Sequence, residues 1–471
     1  MRFRSSGLTV SVLGLGLGLG LLLVGCPPAA EVRPDPVVPP GGPAKEPLPE
    51  VCADAVLMAP LPSGAGGYGR AFARYSHLEE LYKKKITDRD LDGAYSTLIR
   101  LGRLSLRRLR KPDVAMVHFA EARALATQMG DASKEAEALL YTGQAQIRRT
   151  QYQDAVKSLE QTVALYKKLN KPIAEAQAMA TLSRAHHHLK NTQKAMGLLG
   201  QADNMVRPIK SEDRLVRMAL GRTLMAIGSA RNLMGDDRRA EDAYQQALAA
   251  FVSSSDFPEQ ARALEEIGEI HEKAGRHERA AAYFQEAYAA WSKLGDYDGQ
   301  ADALLDLGDE LLALSQKDLA LDAFIKARAF YEKVGQEADS SAALGRMGKA
   351  YAALGNKPQA FASFFQAMSL ARASNRPARL AQVLEEVSTT YASMGEYEQA
   401  VRCSQRAFQF WQEMGEQDDA ARALIGVGDL YVKLGDLRGA RDNYDRALGI
   451  CRALSDLSCE ATVRKKLDLS H

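Results

Sequence analysis

The sequence predicts an all-α protein built as a solenoid of stacked antiparallel helix pairs. Hydrophobic residues make up 46% of the chain and aromatic residues only 7%, and much of the hydrophobic content is alanine, the strongest helix former. Runs of valine and isoleucine, which strands prefer, are scarce. Small residues recur at intervals of 40 positions in the second half of the chain. Such a period is typical of units that bury their apolar sides only against neighbouring units.

Columns of small residues define each unit. One column consists of Gly228, Gly268, Gly308, Gly348 and Gly428, with Ser388 in the remaining position. Two alanine columns keep the same spacing, from Ala240 to Ala440 and from Ala247 to Ala447. The columns that begin at Gly235 and Gly295 follow apolar runs, where a glycine in the left-handed conformation ends a helix. One unit is therefore a helix, a turn, a longer helix and a turn.

Large apolar columns are expected to fill the space between the helices. One column contains Tyr244, Phe284, Phe324, Phe364 and Tyr444. Another contains Phe251, Trp291, Tyr331 and Trp411. Because small residues alternate with these rings, one helix can press closely against the next.

The units resemble tetratricopeptide repeats. The pattern W-x₂-L-G-x₂-Y…A-x₃-F-x₂-A is similar to Leu424-x₂-Val427-Gly428-x₂-Tyr431 followed by Ala440-x₃-Tyr444-x₂-Ala447. The usual unit has about 34 residues, whereas these resemble the long 40-residue variant, with leucine in place of tryptophan and no closing proline. The resemblance implies a right-handed superhelical solenoid whose first helices line a concave groove.

The register continues towards the N-terminus after one slip. Ser183 aligns with Gly228 at a spacing of 45, and the extra residues fall around Pro208, which would break a helix. In the first, more degenerate unit, Arg103 occupies the glycine column. The predicted organisation is a signal peptide at 1–25, a Pro/Gly-rich tether at 26–69, a degenerate leading helix at 70–89, repeats at 90–457 and a C-terminal capping helix at 458–471.

The leader carries a targeting signal. Two arginines precede the apolar run at 10–24, which is too short to span a bilayer comfortably but is typical of a secretory signal. The run ends in a sequence that resembles the bacterial lipobox, Leu23-Val24-Gly25-Cys26. This resemblance implies cleavage before Cys26 and acylation of its sulfur and amine; the alternative is an ordinary signal peptide with a chance cysteine. In the Gram-negative lipoproteins that this leader resembles, an aspartate after the cysteine usually marks retention in the inner membrane. Because Pro27 stands at that position, we expect attachment to the outer membrane, facing the periplasm.

The sequence predicts no catalytic, cofactor or metal site. It contains no H-E-x-x-H, no G-x-S-x-G and no phosphate loop. Consecutive helical residues point about 100° apart, so His186, His187 and His188 do not have chelating spacing. The formal net charge is only +2, which argues against nucleic-acid binding, and no small-molecule substrate is expected.

The cysteines do not indicate a disulfide framework. Cys451 and Cys459 flank a turn, and an envelope compartment permits disulfides. The columns, however, place Cys451 at an inward position and Cys459 at an outward one. We therefore favour free thiols, with a bonded pair as the alternative.

The resemblance also predicts a binding groove. In tetratricopeptide proteins the residues one after and three before the signature glycine usually point inward, and positions two and six before it add to the lining. The predicted groove residues are Arg222, Arg262, Glu265, Glu269, Leu305, Asp309, Arg346, Lys349 and Asp429. Their mixed chemistry predicts one extended protein segment as the partner.

Charge is distributed unevenly along the repeats. Arg100, Arg103 and their neighbours make the first unit basic, whereas carboxylates dominate the middle units. This pattern is either solvated helix surface or a polarised groove, and contact of the basic unit with phosphate or lipid headgroups stays open. The expected function is a non-enzymatic interaction scaffold, with lipid-anchored membrane attachment. The alternative is an adaptor or regulator of an envelope protease, hydrolase or secretion/assembly complex.

Overall fold

A computed structural model describes residues 69–107, 111–454 and 456–469, together with Cys52. All of these residues belong to the second of two units into which the chain divides, Pro49–His471. The predicted signal peptide, Cys26 and nearly all of the predicted tether lie outside the described residues.

The described ranges contain twenty α-helices and no strand. In chain order they are α1 Gly69–Thr87, α2 Leu91–Arg107, α3 Pro112–Gln128, α4 Ala132–Arg148, α5 Tyr152–Lys168, α6 Pro172–His188, α7 Thr192–Val206, α8 Arg214–Leu233, α9 Asp237–Ser254, α10 Phe257–Lys273, α11 His277–Leu294, α12 Tyr297–Ala313, α13 Lys317–Val334, α14 Glu337–Ala353, α15 Lys357–Ala373, α16 Pro377–Ser393, α17 Tyr397–Met414, α18 Gln417–Leu434, α19 Leu437–Ala453 and α20 Leu457–Leu469.

Consecutive helices pack as pairs, from α2 with α3 to α18 with α19, and each pair packs on the next. We call the even-numbered helices α2 to α18 the first helices and their partners the second helices. From α10 to α18 the first helices begin 40 residues apart, at Phe257, Tyr297, Glu337, Pro377 and Gln417. The helix α1 packs on α2, and α20 packs on α19. The predicted all-α solenoid is confirmed.

The recurring alanines form the contacts between helices. Every member of the two alanine columns, Ala240 to Ala440 and Ala247 to Ala447, is 0% exposed. The aromatic columns are buried beside them, with Phe284 and Phe324 both 0% exposed. Burial of large rings against small residues is the main source of stability in such a stack, because apolar area is removed from water at each interface.

The signature glycines leave room for these rings. A Cβ atom added to Gly268 would lie 2.7 Å from Cε1 of Phe284, closer than packed carbon atoms approach. In the first pair the residue with this role is Gly102, which faces Phe119, and not Arg103. The placement of Arg103 in the glycine column was therefore wrong by one position. Its side chain instead takes the position that follows the glycine.

The turns use the left-handed backbone at the predicted columns. Gly235 ends α8 with a φ of 76°, and Gly295 ends α11 with a φ of 62°. Ser315 adopts the same conformation in its column, with a φ of 60°. These residues release the chain from one helix and direct it antiparallel into the next.

The stack is irregular between the third and fourth pairs. The helix α8 packs more extensively against α6 than against α7. The connection between α7 and α8, residues 207–213, contains Pro208, and this is where the repeat register slips. Because proline lacks an N–H group and restricts its neighbours, α7 ends there and α8 starts in a displaced position.

Within the described ranges, no helix combines the length and the apolar character needed to cross a bilayer.

Candidate functional site

The predicted groove residues lie on the first helices α8, α10, α12, α14 and α18. Most have side chains that reach solvent, but Leu305 is only 6% exposed and belongs to the core. Arg222 extends towards the next pair, with Nη2 3.5 Å from the Asp256 carboxylate. Arg262 forms an ion pair with Glu259 at 3.1 Å. The structure thus gathers Glu265, Glu269, Asp309, Arg346 and Lys349 on neighbouring helices and leaves Leu305 out of the surface.

Aromatic side chains from the second helices hold the carboxylates of the first helices. The indole Nε1 of Trp291 donates to Glu265 at 2.5 Å. The hydroxyl of Tyr244 donates to Glu266 at 2.6 Å. The same arrangement recurs further along the stack for the pairs Tyr331–Asp302, Trp411–Glu385 and Tyr444–Asp429. The aromatic columns therefore have two roles, because they fill the core and also orient the acids of the groove.

The first helices α10 and α12, in the middle of the predicted groove, concentrate negative charge where it is partly desolvated. Surrounding protein atoms desolvate the carboxyl of Glu269 and, together with nearby Glu266, raise its pKa. Desolvation likewise raises the pKa of Glu272, and the carboxylates of Glu310 and Asp309 add to this effect. Burial raises the pKa of Asp306 well above its usual range, although the Arg346 guanidinium opposes the shift. We call this group of carboxylates the acidic segment; it consists of Glu265, Glu266, Glu269, Glu272, Asp302, Asp306, Asp309 and Glu310, of which Glu310 is buried against His277.

A cationic side chain borders the acidic segment on α14. Arg346 donates through Nε to Asp309 and lies near Glu386 and Asp306. Burial alone would lower the pKa of Arg346, but these carboxylates outweigh it and raise the pKa. The guanidinium is therefore held as a cation between carboxylates of α12 and α16.

A glycine makes space for this charge cluster. A Cβ atom on Gly345 would overlap the carboxylate of Glu386, which lies on α16. Burial raises the pKa of Glu386, while Arg346 and Lys349 act in the opposite direction. Arg379, also on α16, lies 3.9 Å from Asp339 of α14. The helices α14 and α16 thus meet through a small residue and several charges.

Asp429 lies apart from the acidic segment, towards the C-terminal end. It accepts hydrogen bonds from the Tyr444 hydroxyl at 2.6 Å and from Lys466 Nζ at 2.7 Å. Between α16 and α18 there is a cavity of 430 Å³ whose walls include Glu385 and Gly426. Because α20 supplies Lys466, the capping helix also completes the groove lining of the last pair.

The structure overturns the prediction for the C-terminal cysteines. Cys451 and Cys459 form a disulfide, with their Cα atoms 5.6 Å apart. Their columns contain Trp291 of the fifth pair and Gly299 of the sixth, where a Cβ atom on Gly299 would overlap the Trp291 ring. The two columns are therefore in contact, and the assignment of Cys459 to an outward position was wrong.

A second disulfide was not predicted. It joins Cys52 to Cys403 of α17 across a sequence separation of 351, with their Cα atoms 5.3 Å apart. Cys403 is 0% exposed, and no short-range pattern relates two residues so distant in sequence. Four of the five cysteines are therefore paired, and the expectation that they form no disulfide framework was wrong.

The histidine run occupies structural positions. His186 is 3% exposed, and His188 stacks on Tyr152 with ring centroids 4.5 Å apart. Burial lowers the pKa of His186, His187 and His188. In the ranges that the structure describes, no three His, Cys, Asp or Glu side chains are grouped to hold a metal ion.

Sequence reasoning missed several residues of the site. The predicted groove did not include Glu386 and Arg379, which lie on α16, or Lys466, which lies on α20. Glu386 could have been found, because it occupies the column of Arg346, two positions before the signature residue. Arg379 and Lys466 extend from neighbouring elements, and no column identifies them.

Comparison with known families supports this architecture at the sequence level. The family described as tetratricopeptide repeat matches residues 259–333 and 379–453, and a second family with the same description matches residues 137–168. The chain contains tetratricopeptide repeats. The tetratricopeptide repeats so matched include the acidic segment together with Trp291 and Tyr331, whereas Tyr244 precedes them. A search of the curated proteins found no significant match.

Several solved structures are similar to the part of the chain that contains these tetratricopeptide repeats. One is a signal transduction ATPase with numerous domains and a tetratricopeptide repeat sensor from Pyrococcus horikoshii, which is 16% identical with a TM-score of 0.50 over 74% of this chain and 54% of that chain. Another is aspartyl phosphate phosphatase F from Bacillus subtilis, which is 15% identical with a TM-score of 0.48 over 78% and 95% of the two chains. A third is the quorum sensor NprR from B. thuringiensis in its apo form, at 12% identity and a TM-score of 0.47 over 78% and 99%. At these identities the likeness concerns the fold alone.

Proposed function

We propose that this protein is a non-enzymatic interaction scaffold whose groove binds an extended, positively charged segment of a partner protein. The observation that carries the proposal is the acidic segment. Its carboxylates are held in place by indole and phenol groups, and several have raised pKa values because desolvation and like charges oppose ionisation. A cationic partner would relieve that repulsion.

The geometry favours an extended segment over a compact ligand. The acids are distributed over the neighbouring first helices α10 and α12, and packed helices lie about 8–10 Å apart. An extended chain advances about 3.3 Å per residue, so two adjacent helices are spanned by roughly three residues. Lysine or arginine side chains at such intervals would meet successive carboxylates. Beyond them, Arg346 and Lys349 on α14 would favour an acidic or polar residue, which gives the bound segment a direction.

We further propose that the scaffold is anchored to the bacterial envelope through lipidated Cys26, the one cysteine outside both disulfides. Two disulfides are typical of oxidising compartments such as the periplasm, which supports export. An odd cysteine in an exported protein needs its own explanation, and acylation would supply one. Each buried methylene of an acyl chain contributes about 0.8 kcal/mol, so two or three chains would hold the protein firmly.

The groove proposal is tested with defined peptides. A labelled twelve-residue peptide that alternates lysine and serine should bind, whereas its glutamate counterpart should not, as measured by fluorescence anisotropy. The double variant Glu269→Gln/Glu272→Gln should weaken lysine-peptide binding roughly tenfold or more, because about 1.4 kcal/mol corresponds to a factor of ten. Glu265 and Asp309 are unsuitable for this test, because they hold Trp291 and Arg346.

The matched control removes the same charge from a second helix. Glu278 and Glu286 are exposed on α11, and the variant Glu278→Gln/Glu286→Gln should bind the lysine peptide like the wild type. Equal loss in both variants would mean that net charge and not the groove governs binding, and the proposal would be wrong. In cells, a photo-crosslinking residue at Ser229 should capture a partner that the same residue at Gln285 of α11 does not.

The anchor is tested separately. Globomycin treatment or Cys26→Ala should block processing and release the protein from the membrane fraction. Unchanged processing and membrane retention would show that the lipobox interpretation is wrong, and the groove proposal would not be affected. If the captured partner is a protease or wall hydrolase whose activity changes with the scaffold present, the adaptor alternative is the better description.

A further inference from the structure

The groove contains a second charged region that the proposed function does not use. The sequence has a basic cluster in the first pair and leaves its contact with phosphate or lipid headgroups open. In the structure, Arg74 of α1 and Arg100 and Arg103 of α2 line one wall of a cavity of 420 Å³. Because Gly102 is the residue that packs on Phe119, Arg100 and Arg103 occupy the positions equivalent to Glu266 and Glu269. The first pair thus presents arginine where the fifth presents glutamate.

The opposite wall of this cavity comes from a distant part of the stack. Arg262 of α10, Trp291 and Leu294 of α11 and Asp296 before α12 complete it, with Pro258. Residues separated by more than 150 positions therefore line the same cavity. We call it the arginine cavity.

The charges of the arginine cavity are not balanced by the protein. Among the described residues, Arg74, Arg100 and Arg103 form no ion pair with a carboxylate, whereas Arg262 pairs with Glu259 at 3.1 Å. The lining carboxylate, Asp296, is engaged as a helix cap and accepts from the Gly299 N–H at 3.2 Å. Three arginines without a carboxylate partner in the described ranges therefore line one space, and the Arg103 guanidinium also lies over the Tyr141 ring, with Cζ 5.7 Å from the centroid.

The rest of the wall is apolar. Leu104 belongs to α2, and Leu294, which is 41% exposed, projects from the end of α11. Trp291 is 3% exposed, and the Arg262 guanidinium lies over its ring, with Cζ 6.0 Å from the centroid. A ligand that fits must carry an anion and an apolar group side by side.

We infer that the arginine cavity binds a phosphate monoester attached to an apolar group. Guanidinium groups bind phosphate through paired N–H donors in a planar fork. A dianionic phosphate offsets the charge of three free arginines better than a single carboxylate does. The apolar part of the ligand would rest on Leu104, Leu294 and Trp291. The same chemistry occurs in lipid headgroups and in soluble phosphorylated compounds, and the experiment separates these sources.

The test uses isothermal titration calorimetry with four probes: dihexanoyl phosphatidic acid, dihexanoyl phosphatidylcholine, phenyl phosphate and inorganic phosphate. Phosphatidic acid or phenyl phosphate should bind at least tenfold more tightly than inorganic phosphate, and phosphatidylcholine should bind least. A preference for phosphatidic acid identifies a lipid, whereas a preference for phenyl phosphate identifies a soluble compound. Equal affinity for inorganic phosphate and both monoesters would overturn the proposed apolar contact.

Variants locate the binding in the cavity. Arg74→Gln/Arg100→Gln changes two exposed side chains and should weaken monoester binding roughly tenfold or more, because charge-assisted hydrogen bonds are lost. The matched control Arg238→Gln/Arg279→Gln removes two exposed arginines of the second helices α9 and α11 and should have no effect. Leu294→Ser should weaken the monoesters without changing inorganic phosphate. If Arg74→Gln/Arg100→Gln binds the phosphate monoesters with wild-type affinity, the proposed site is refuted. This outcome is independent of the peptide experiments on Glu269 and Glu272.

Discussion

Replacing Phe324 with alanine tests how a single interface of the stack is stabilised. Phe324 lies on α13, is 0% exposed and packs against Gly308 of α12. Loss of the buried ring removes about 1.5–3 kcal/mol of transfer free energy. A remaining cavity of roughly 80 Å³ would add about 2 kcal/mol, at about 24 cal/mol per Å³. The free energy of unfolding should therefore fall by about 3–5 kcal/mol, as for other buried Phe→Ala changes.

The assay must detect unfolding of one region, because repeat arrays can unfold unit by unit. Urea unfolding followed by circular dichroism gives the total effect, and hydrogen exchange of peptides from α12 and α13 locates it. Ile325→Ala is the matched control, since Ile325 is the next residue and is 43% exposed. It should change stability by no more than about 0.5 kcal/mol. A loss below about 1 kcal/mol for Phe324→Ala, or an equal loss for both variants, would show that burial of the Phe324 ring does not stabilise this interface.

Three further outcomes are expected. Gly268→Ala should destabilise the fifth pair by about 1–2 kcal/mol in urea unfolding, since its Cβ would crowd the Phe284 ring, and an unchanged free energy of unfolding would contradict this close contact. Asp306→Asn should raise the thermal unfolding temperature at pH 7, because burial raises the pKa of Asp306 and disfavours its charged form; the difference should vanish below the ordinary aspartate pKa, where both side chains are neutral, and a lower unfolding temperature at pH 7 would contradict this reasoning. A non-reduced peptide map should link Cys52 to Cys403 and Cys451 to Cys459, and free thiols at these four positions would contradict the structure.

The fold could be predicted because its constraints repeat. A residue such as Ala280 has the same surroundings as Ala320 or Ala360, so a column reveals what one position would not. The helix ends followed for the same reason, since Gly235 and Ser315 share one backbone conformation. The first pair was less certain because it lacks a regular neighbour on one side. In that pair the glycine that packs against the aromatic ring is Gly102, whereas the sequence pattern had placed Arg103 in the glycine column.

Only those site residues that belong to a column repeating along the sequence could be predicted. Glu269 and Asp309 were found because they follow the signature glycine. The donor to Glu265 was not found, because Trp291 was assigned a packing role and its N–H group was ignored. The two disulfides were missed for different reasons. The columns of Cys451 and Cys459 touch, a fact visible only when Trp291 and Gly299 are seen together, while Cys52 lies outside the repeat altogether.

The charge pattern can vary because the positions that carry charge are different from the positions that pack against neighbouring helices. Alanines and glycines that contact neighbouring helices cannot change without loss of packing, whereas the positions two before and one after the glycine face the groove. In the first pair these positions hold Arg100 and Arg103, and in the fifth they hold Glu266 and Glu269. The sign of the groove can therefore reverse from pair to pair with the same core beneath it. It follows that exchanging Arg100 and Arg103 for glutamates should leave the unfolding transition nearly unchanged while it removes phosphate monoester binding, and a large loss of stability would show that these arginines serve the fold instead.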